Sequence, residues 1–207
     1  MSKEIQVANC NLPTIATPQT VFTNSGDNGV QILNQGTINM YPANSNSTLY
    51  NATTRICTEY YNLFVVGGET FAENSFLIGK ECALTTSEGV SPEISCRFAP
   101  LSPEAKAAIK TFPSIFASLN HQYGHTDDTH NAIFGMVTDI EVLENGIKIH
   151  IHKSCYIPQQ RLNEMASSLA ILTAYGTNEF NRTHWAIKQI NLVEELRRAG
   201  LSLPVFT

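Results

Sequence analysis

The stretch Ile133-Phe134-Gly135-Met136-Val137-Thr138-Asp139-Ile140-Glu141-Val142, then Glu144-Asn145-Gly146, then Ile147-Lys148-Ile149-His150-Ile151-His152 decides the fold class. Two β-type runs flank an Asn-Gly pair, which suits a type I′ turn because both central residues must take positive φ. The pattern therefore predicts an antiparallel hairpin. In its second strand Ile147, Ile149 and Ile151 share one face, while Lys148, His150 and His152 share the other and are expected to face solvent or a groove.

Working outward toward the C-terminus, Ile157-Pro158 precedes Leu162, Met165, Leu169 and Leu172 at helical spacing, which predicts an amphipathic helix ending near Gly176. A strand through Trp185-Ala186-Ile187 follows. Asn191 and Glu194 have the spacing of a capping box for a helix over Leu192 to Ala199, closed by Gly200. Toward the N-terminus, Tyr60 to Val66 reads as a buried strand stopped by Gly67-Gly68, and Phe76-Leu77-Ile78 as a short second one. Ser102 caps a predicted helix with Pro103 at its first position, where the missing N–H costs nothing. Ile115, Phe116 and Leu119 are read as a short turn that packs down. This order predicts an α+β fold: a small antiparallel or mixed sheet, open or barrel-like, with helices on one face rather than a doubly wound parallel sheet.

Residues 1–55 differ from residues 56–207, the predicted α+β domain. The first segment holds nine Asn and only four charged side chains, Lys3, Glu4, Asp27 and Arg55. Val30 and Ile32, then Ile38 and Met40, alternate with polar residues around Asn34-Gln35-Gly36, which predicts a short hairpin in a polar N-terminal arm. A lone hairpin is marginal in water, so these strands need a partner sheet, in their own domain or in a second subunit. Assembly into a homo-oligomer through the arm is one expectation, and a partly disordered leader, which the Asn/Ser/Thr-rich stretch Pro42 to Thr54 suits, is the other.

The chain is 207 residues long with a formal charge of -5 and only 15% charged residues. That balance argues against a general phosphate-backbone binder, since such affinity comes from clustered Lys and Arg. The low charge and many amides suggest surfaces that pair with protein. The start Met1-Ser2-Lys3-Glu4-Ile5 opens no signal-peptide core, and no stretch reaches the ~20 apolar residues of a membrane span, so a cytoplasmic location is expected. Cys10, Cys57, Cys82, Cys96 and Cys155 are odd in number and lack CxxC spacing, so they are read as reduced, mostly buried thiols.

Two clusters carry chemically useful side chains. The loop from Asn120 to Asn131 holds His121, His125, Asp127, Asp128 and His130, and imidazole with carboxylate is the donor set for a divalent metal. Its spacing matches no zincin signature. A general acid/base histidine is a second reading of the loop, although no nucleophile is signposted beside it. The run Arg182, His184, Trp185 and Lys188 joins the single Trp to cationic side chains, as a stacking site for a nucleotide, a base or a partner loop requires. The preferred reading of Trp185 itself is as a core residue: with Trp185 and Ile187 pointing inward, Arg182, His184 and Lys188 share the exposed face. No phosphate-cradling glycine loop is present, and no catalytic residue is assigned.

The segment from Gly26 through Asp27-Asn28-Gly29, Val30-Gln31-Ile32-Leu33 and Asn34-Gln35-Gly36 to Asn39 resembles the Asn/Gly-rich leaders of some bacterial phage-defence and conflict proteins. The resemblance implies no catalytic residue. Together these features lead to the expectation of a non-enzymatic binding or adaptor protein with a protein partner, set in a bacterial defence or toxin system and needing no cofactor. The alternatives are a metal-dependent hydrolase or nuclease built on the loop His121 to His130, and a nucleotide or nucleic-acid reader built on Trp185.

Overall fold

The computed structural model describes residues 56–86, 90–173 and 176–203. The N-terminal arm and its hairpin, together with Cys10, therefore lie outside the described residues. Six strands form one open mixed sheet: β1 (Tyr61–Val65), β2 (Ser75–Ile78), β3 (Pro113–Ala117), β4 (Asn131–Leu143), β5 (Gly146–Pro158) and β6 (His184–Lys188). Their order across the sheet is β2-β5-β4-β3-β1-β6. Only β1 and β3 run parallel; the remaining neighbours are antiparallel. Four helices accompany them: α1 (Pro92–Phe98), α2 (Pro103–Ile109), α3 (Gln159–Glu164) and α4 (Leu192–Arg198). The α+β class read from the sequence is what the chain adopts, with a sheet that does not close into a barrel.

The helices cover both faces of the sheet, where the sequence reading placed them on one. Phe98, Ala105 and Ile109 of α1 and α2 pack with Phe64, Phe116, Ile149, Trp185 and Ile187. Leu162 of α3 and Leu192 and Leu196 of α4 pack with Tyr61, Leu63, Val65, Ile115 and Phe134 on the other side. Strands β1, β3 and β6 are consequently buried on both faces, as all five residues of each are. A strand buried twice loses the alternation that marks a half-exposed one. That is why Ile115 and Phe116 read as a packed turn instead of as part of β3, whose leading Pro113 sits at the strand's first residue, where proline is tolerated.

The hairpin is longer than its sequence core. β4 and β5 span thirteen residues each, with Val142 opposite Ile147 and Leu143 opposite Gly146. The reversal thus runs through Glu144-Asn145, one residue earlier than Asn145-Gly146, and neither turn residue has positive φ, so the type I′ geometry is not adopted. Ile147, Ile149 and Ile151 are buried while Lys148, His150 and His152 are not, as their alternation requires. The ladder slips twice, between Phe134 and Gly135 and between Val137 and Asp139. At the first slip a Cβ on Gly135 would run into the His152 carbonyl oxygen, so glycine is what lets the two backbones approach there.

Capping follows local chemistry. Ser102 accepts from Ala105 N at the start of α2, and Asn191 accepts from Glu194 N at the start of α4. Ser91 accepts from Ile94 N at the start of α1, a helix the sequence reading did not single out. The helix expected through Leu172 stops at Glu164, where Met165 leaves helical geometry (φ -93, ψ 8), and the chain continues as turns to Ala170, which takes φ 53. Leu169 still enters the core, whereas Leu172 is left half in solvent. Cys57, Cys82 and Cys155 are half-buried, and burial pushes the Cys155 thiol up.

Candidate functional site

The parallel pair β1 and β3 brings its carboxyl ends to one edge of the sheet. There β6 begins, with His184 opposite Val65, and β4 begins beside the end of β5, with Asn131 opposite Pro158. The long loop 118–130, the start of α3 and the segment 178–183 therefore gather at this end, which is where open sheets with parallel strands form crevices.

What joins these segments is a network of side-chain amides. Asn120 Nδ2 donates to Asn163 Oδ1 (3.0 Å) and to Asn181 Oδ1 (3.3 Å), while Asn120 Oδ1 accepts from Asn163 Nδ2 (3.0 Å) and Gln159 Nε2 (2.9 Å). Asn178 Nδ2 donates to Asn163 Oδ1 at 2.8 Å, and Asn181 binds the loop backbone at Gly124 N and Gln122 O. Asn120, Asn163, Asn178 and Asn181 each both donate and accept, so a small set of amides can hold three chain segments without burying a charge. Thr126 Oγ1, Gln159 Oε1 and His130 Nε2 are buried without a hydrogen-bond partner in this region. Outside the network Tyr123 stands 66% exposed, with its hydroxyl donating to Gly176 O at 3.1 Å, and Leu172 stands 43% exposed.

The histidine loop is only partly assembled. His121 Nδ1 lies 2.8 Å from Asp127 Oδ2, and the His121 and His130 rings meet edge to face with centroids 4.6 Å apart. Asp127 Oδ1 accepts from both the backbone N and the hydroxyl of Thr129, and that hydroxyl bond holds the Asp127 carboxyl below the usual carboxylate range. Burial, reinforced by repulsion from His121, holds the His130 imidazole below its usual range. His125 and Asp128 point into solvent and do not join the cluster. Among the described residues no group of three His, Cys, Asp or Glu side chains is placed to hold a metal ion. The His121–Asp127 pair can move a proton, but among the described residues no Ser, Cys or Lys nucleophile is bonded to either imidazole.

The second predicted cluster is dispersed. Trp185 points to the α1/α2 side, stacked on Phe64 at 4.9 Å with its Nε1 donating to Asn62 Oδ1, so neither ring face is open to a ligand. His184 and Lys188 point to the α3/α4 side, as alternation along β6 demands. That side is covered too: Lys188 is 6% exposed and His184 fully enclosed. Both bind Glu179, His184 Nε2 at 3.0 Å and Lys188 Nζ at 2.7 Å, while His184 Nδ1 donates to Arg182 O. Arg182 contributes its carbonyl to this arrangement from the segment before β6. The expected exposed face is thus covered: His184 and Lys188 form a buried ionic network with Glu179, and Arg182 is half-buried beside it.

Sequence reasoning did not single out Glu179, Tyr123 or the amides Asn120, Gln159, Asn163, Asn178 and Asn181. Their only signal was compositional, an excess of amides over charges. No helix among the described residues is long and apolar enough to cross a membrane. Comparison with known protein families, curated proteins and solved structures finds no match for this chain.

Proposed function

We propose that this chain is a non-enzymatic binding or adaptor protein that meets a protein partner through the loop face carrying Tyr123 and Leu172. The observation that carries this reading is the bracing of Tyr123. An aromatic side chain two-thirds in solvent is tied by its own hydroxyl to Gly176 O, on a loop clamped by Asn120, Asn163 and Asn181. Rigid Tyr contributes large contact area at little entropic cost, which is why it is enriched at binding hot spots.

The test compares proteins co-purified with the full chain and with a Tyr123→Ser/Leu172→Ser variant whose unfolding curve is unchanged. A specific partner lost from the variant supports the reading; identical partner sets remove it. Assembly through residues 1–55 is the second half of the proposal and rests on the alternation of Val30, Ile32, Ile38 and Met40. Light scattering after size exclusion should find an oligomer for the full chain and a monomer for Ile32→Glu/Ile38→Glu, and a monomeric full chain would end this half. A place in a bacterial defence or toxin system is supported by the leader resemblance alone.

A further inference from the structure

We infer that the outer edge of β2 is where a second copy of the chain docks, by adding a strand drawn from its residues 30–41; this rests on the reading that residues 1–55 drive assembly, and it supplies the sheet that those residues need. β2 and β6 are the two outermost strands. The outer side of β6 is already engaged, since Trp185 O accepts from Leu84 N at 2.9 Å and Ala83 bridges to Trp185. Among the described residues β2 has no such bridge on its outer side.

The ladder fixes which groups of β2 are open. Asn74 O accepts from Ile151 N at 2.9 Å and Ser75 stands opposite His150, so Asn74, Phe76 and Ile78 turn their backbone groups toward β5. By alternation Ser75 and Leu77 turn N–H and C=O outward, away from the sheet. The strand is braced at both ends: Lys153 Nζ donates to Phe71 O and Ala72 O at 2.9 Å before it, and Lys80 Nζ donates to Glu144 O at 3.2 Å after it. An edge held in place loses little freedom when another strand joins it.

The side chains suit an uncharged occupant. Exposed edges are normally blunted by charge or proline, and β2, reading Ser-Phe-Leu-Ile, carries neither. Leu77 is 43% and Leu143 38% exposed on one face, with Gly146 between them, where a Cβ would stand 3.1 Å from Leu77 Cδ1. Residues 30–41 hold no charged side chain, and Val30 with Ile32, then Ile38 with Met40, alternate with polar neighbours. A strand from either half sets apolar side chains along the Leu77 strip while its backbone meets Ser75 and Leu77. In this mode main-chain bonds give the affinity and alternate side chains give the preference.

The experiment combines light scattering after size exclusion with amide exchange on the full chain. Leu77→Pro removes an N–H that points away from β5, so the internal ladder survives while the docking edge is lost. Leu77→Lys sets a charge on the edge without altering the backbone. Both are expected to run as monomers with the dichroism of the unaltered protein. Mixing Leu77→Pro with Ile32→Glu/Ile38→Glu should restore a two-chain species, since each supplies the half that the other lacks. In the unaltered chain the Ser75 and Leu77 amides should exchange roughly tenfold or more slowly than in Ile32→Glu/Ile38→Glu, a comparison that stands even if a β2 variant does not fold. A folded Leu77→Pro that stays oligomeric, fast exchange at Ser75 and Leu77 in the oligomer, or monomers alone in the mixture would overturn the docking edge and leave assembly through residues 1–55 standing. A monomeric full chain would end that assembly and the docking edge with it.

Discussion

His184 Nε2 stands 3.0 Å from Glu179 Oε2, and neither side chain touches water. His184 Nδ1 faces the carbonyl of Arg182, which only accepts, so Nδ1 carries a proton. A second proton must then lie between Nε2 and the carboxylate, and Lys188 Nζ is the second group bonded to the same acid. Glu179 also adds to the effect of burial in raising the Tyr61 hydroxyl well above its usual range. The acid group is the shared acceptor of the whole arrangement.

Removing that acceptor should be costly. Glu179→Ala is expected to lose about 3–5 kcal/mol in urea unfolding, because two buried donors lose their common partner. Arg198→Ala, which breaks an exposed pair with Glu195, should lose no more than about 1 kcal/mol. Similar losses from the two variants would show that the buried network adds nothing to stability.

The amide clamp should act locally as well as globally. Asn120→Ala removes bonds to Asn163, Asn181 and Gln159 and should cost about 1–3 kcal/mol. Limited proteolysis should then cut between residues 121 and 131 sooner than in the unaltered protein. An unchanged cutting pattern would mean that the loop is held by something other than these amides.

Gly135 is expected to resist any side chain. Gly135→Ala sets a methyl group against the His152 carbonyl at the ladder slip, and the backbone must separate to relieve it. The loss should be about 1–3 kcal/mol, with amide exchange rising first at Lys153 and its neighbours. A fully stable variant would show that the two strands can part there without penalty.

His130 should titrate below 6.5, its ordinary value, when followed by imidazole proton shifts. Burial is the larger cause and repulsion from His121 the smaller, so His121→Asn should raise the midpoint without restoring it fully. The sign for stability follows from linkage: a histidine with a depressed folded pKa contributes stability that is present above its unfolded value and lost as pH falls. Acidification from about pH 6.5 through the folded midpoint should therefore weaken the protein through this residue. A midpoint at or above the ordinary value would contradict the burial seen here.

The legibility of this fold tracked exposure. β5 could be read because one face meets solvent, so Ile147, Ile149 and Ile151 alternate with polar partners. The caps at Ser102 and Asn191 could be read because their chemistry is local. β3 could not, since a strand covered on both sides shows only a short apolar run. At β6 the alternation of Trp185 with His184 and Lys188 was correct, yet its consequence was not, because nothing local says that α3 and α4 cover the second face. Glu179 was invisible for the same reason: a buried acid is recognised by the partners it meets in space, and those sit five and nine residues away on a strand.

Trp185 has a last consequence. It is the single tryptophan of the chain, enclosed at the sheet and stacked on Phe64. Its fluorescence therefore reports on one place, the contact between β6 and the α1/α2 layer, with no contribution from residues 1–55. A shift of its emission during chemical unfolding would time the opening of that layer alone. Compared with backbone dichroism on the same sample, it would tell whether the two faces of the sheet come apart together or in turn.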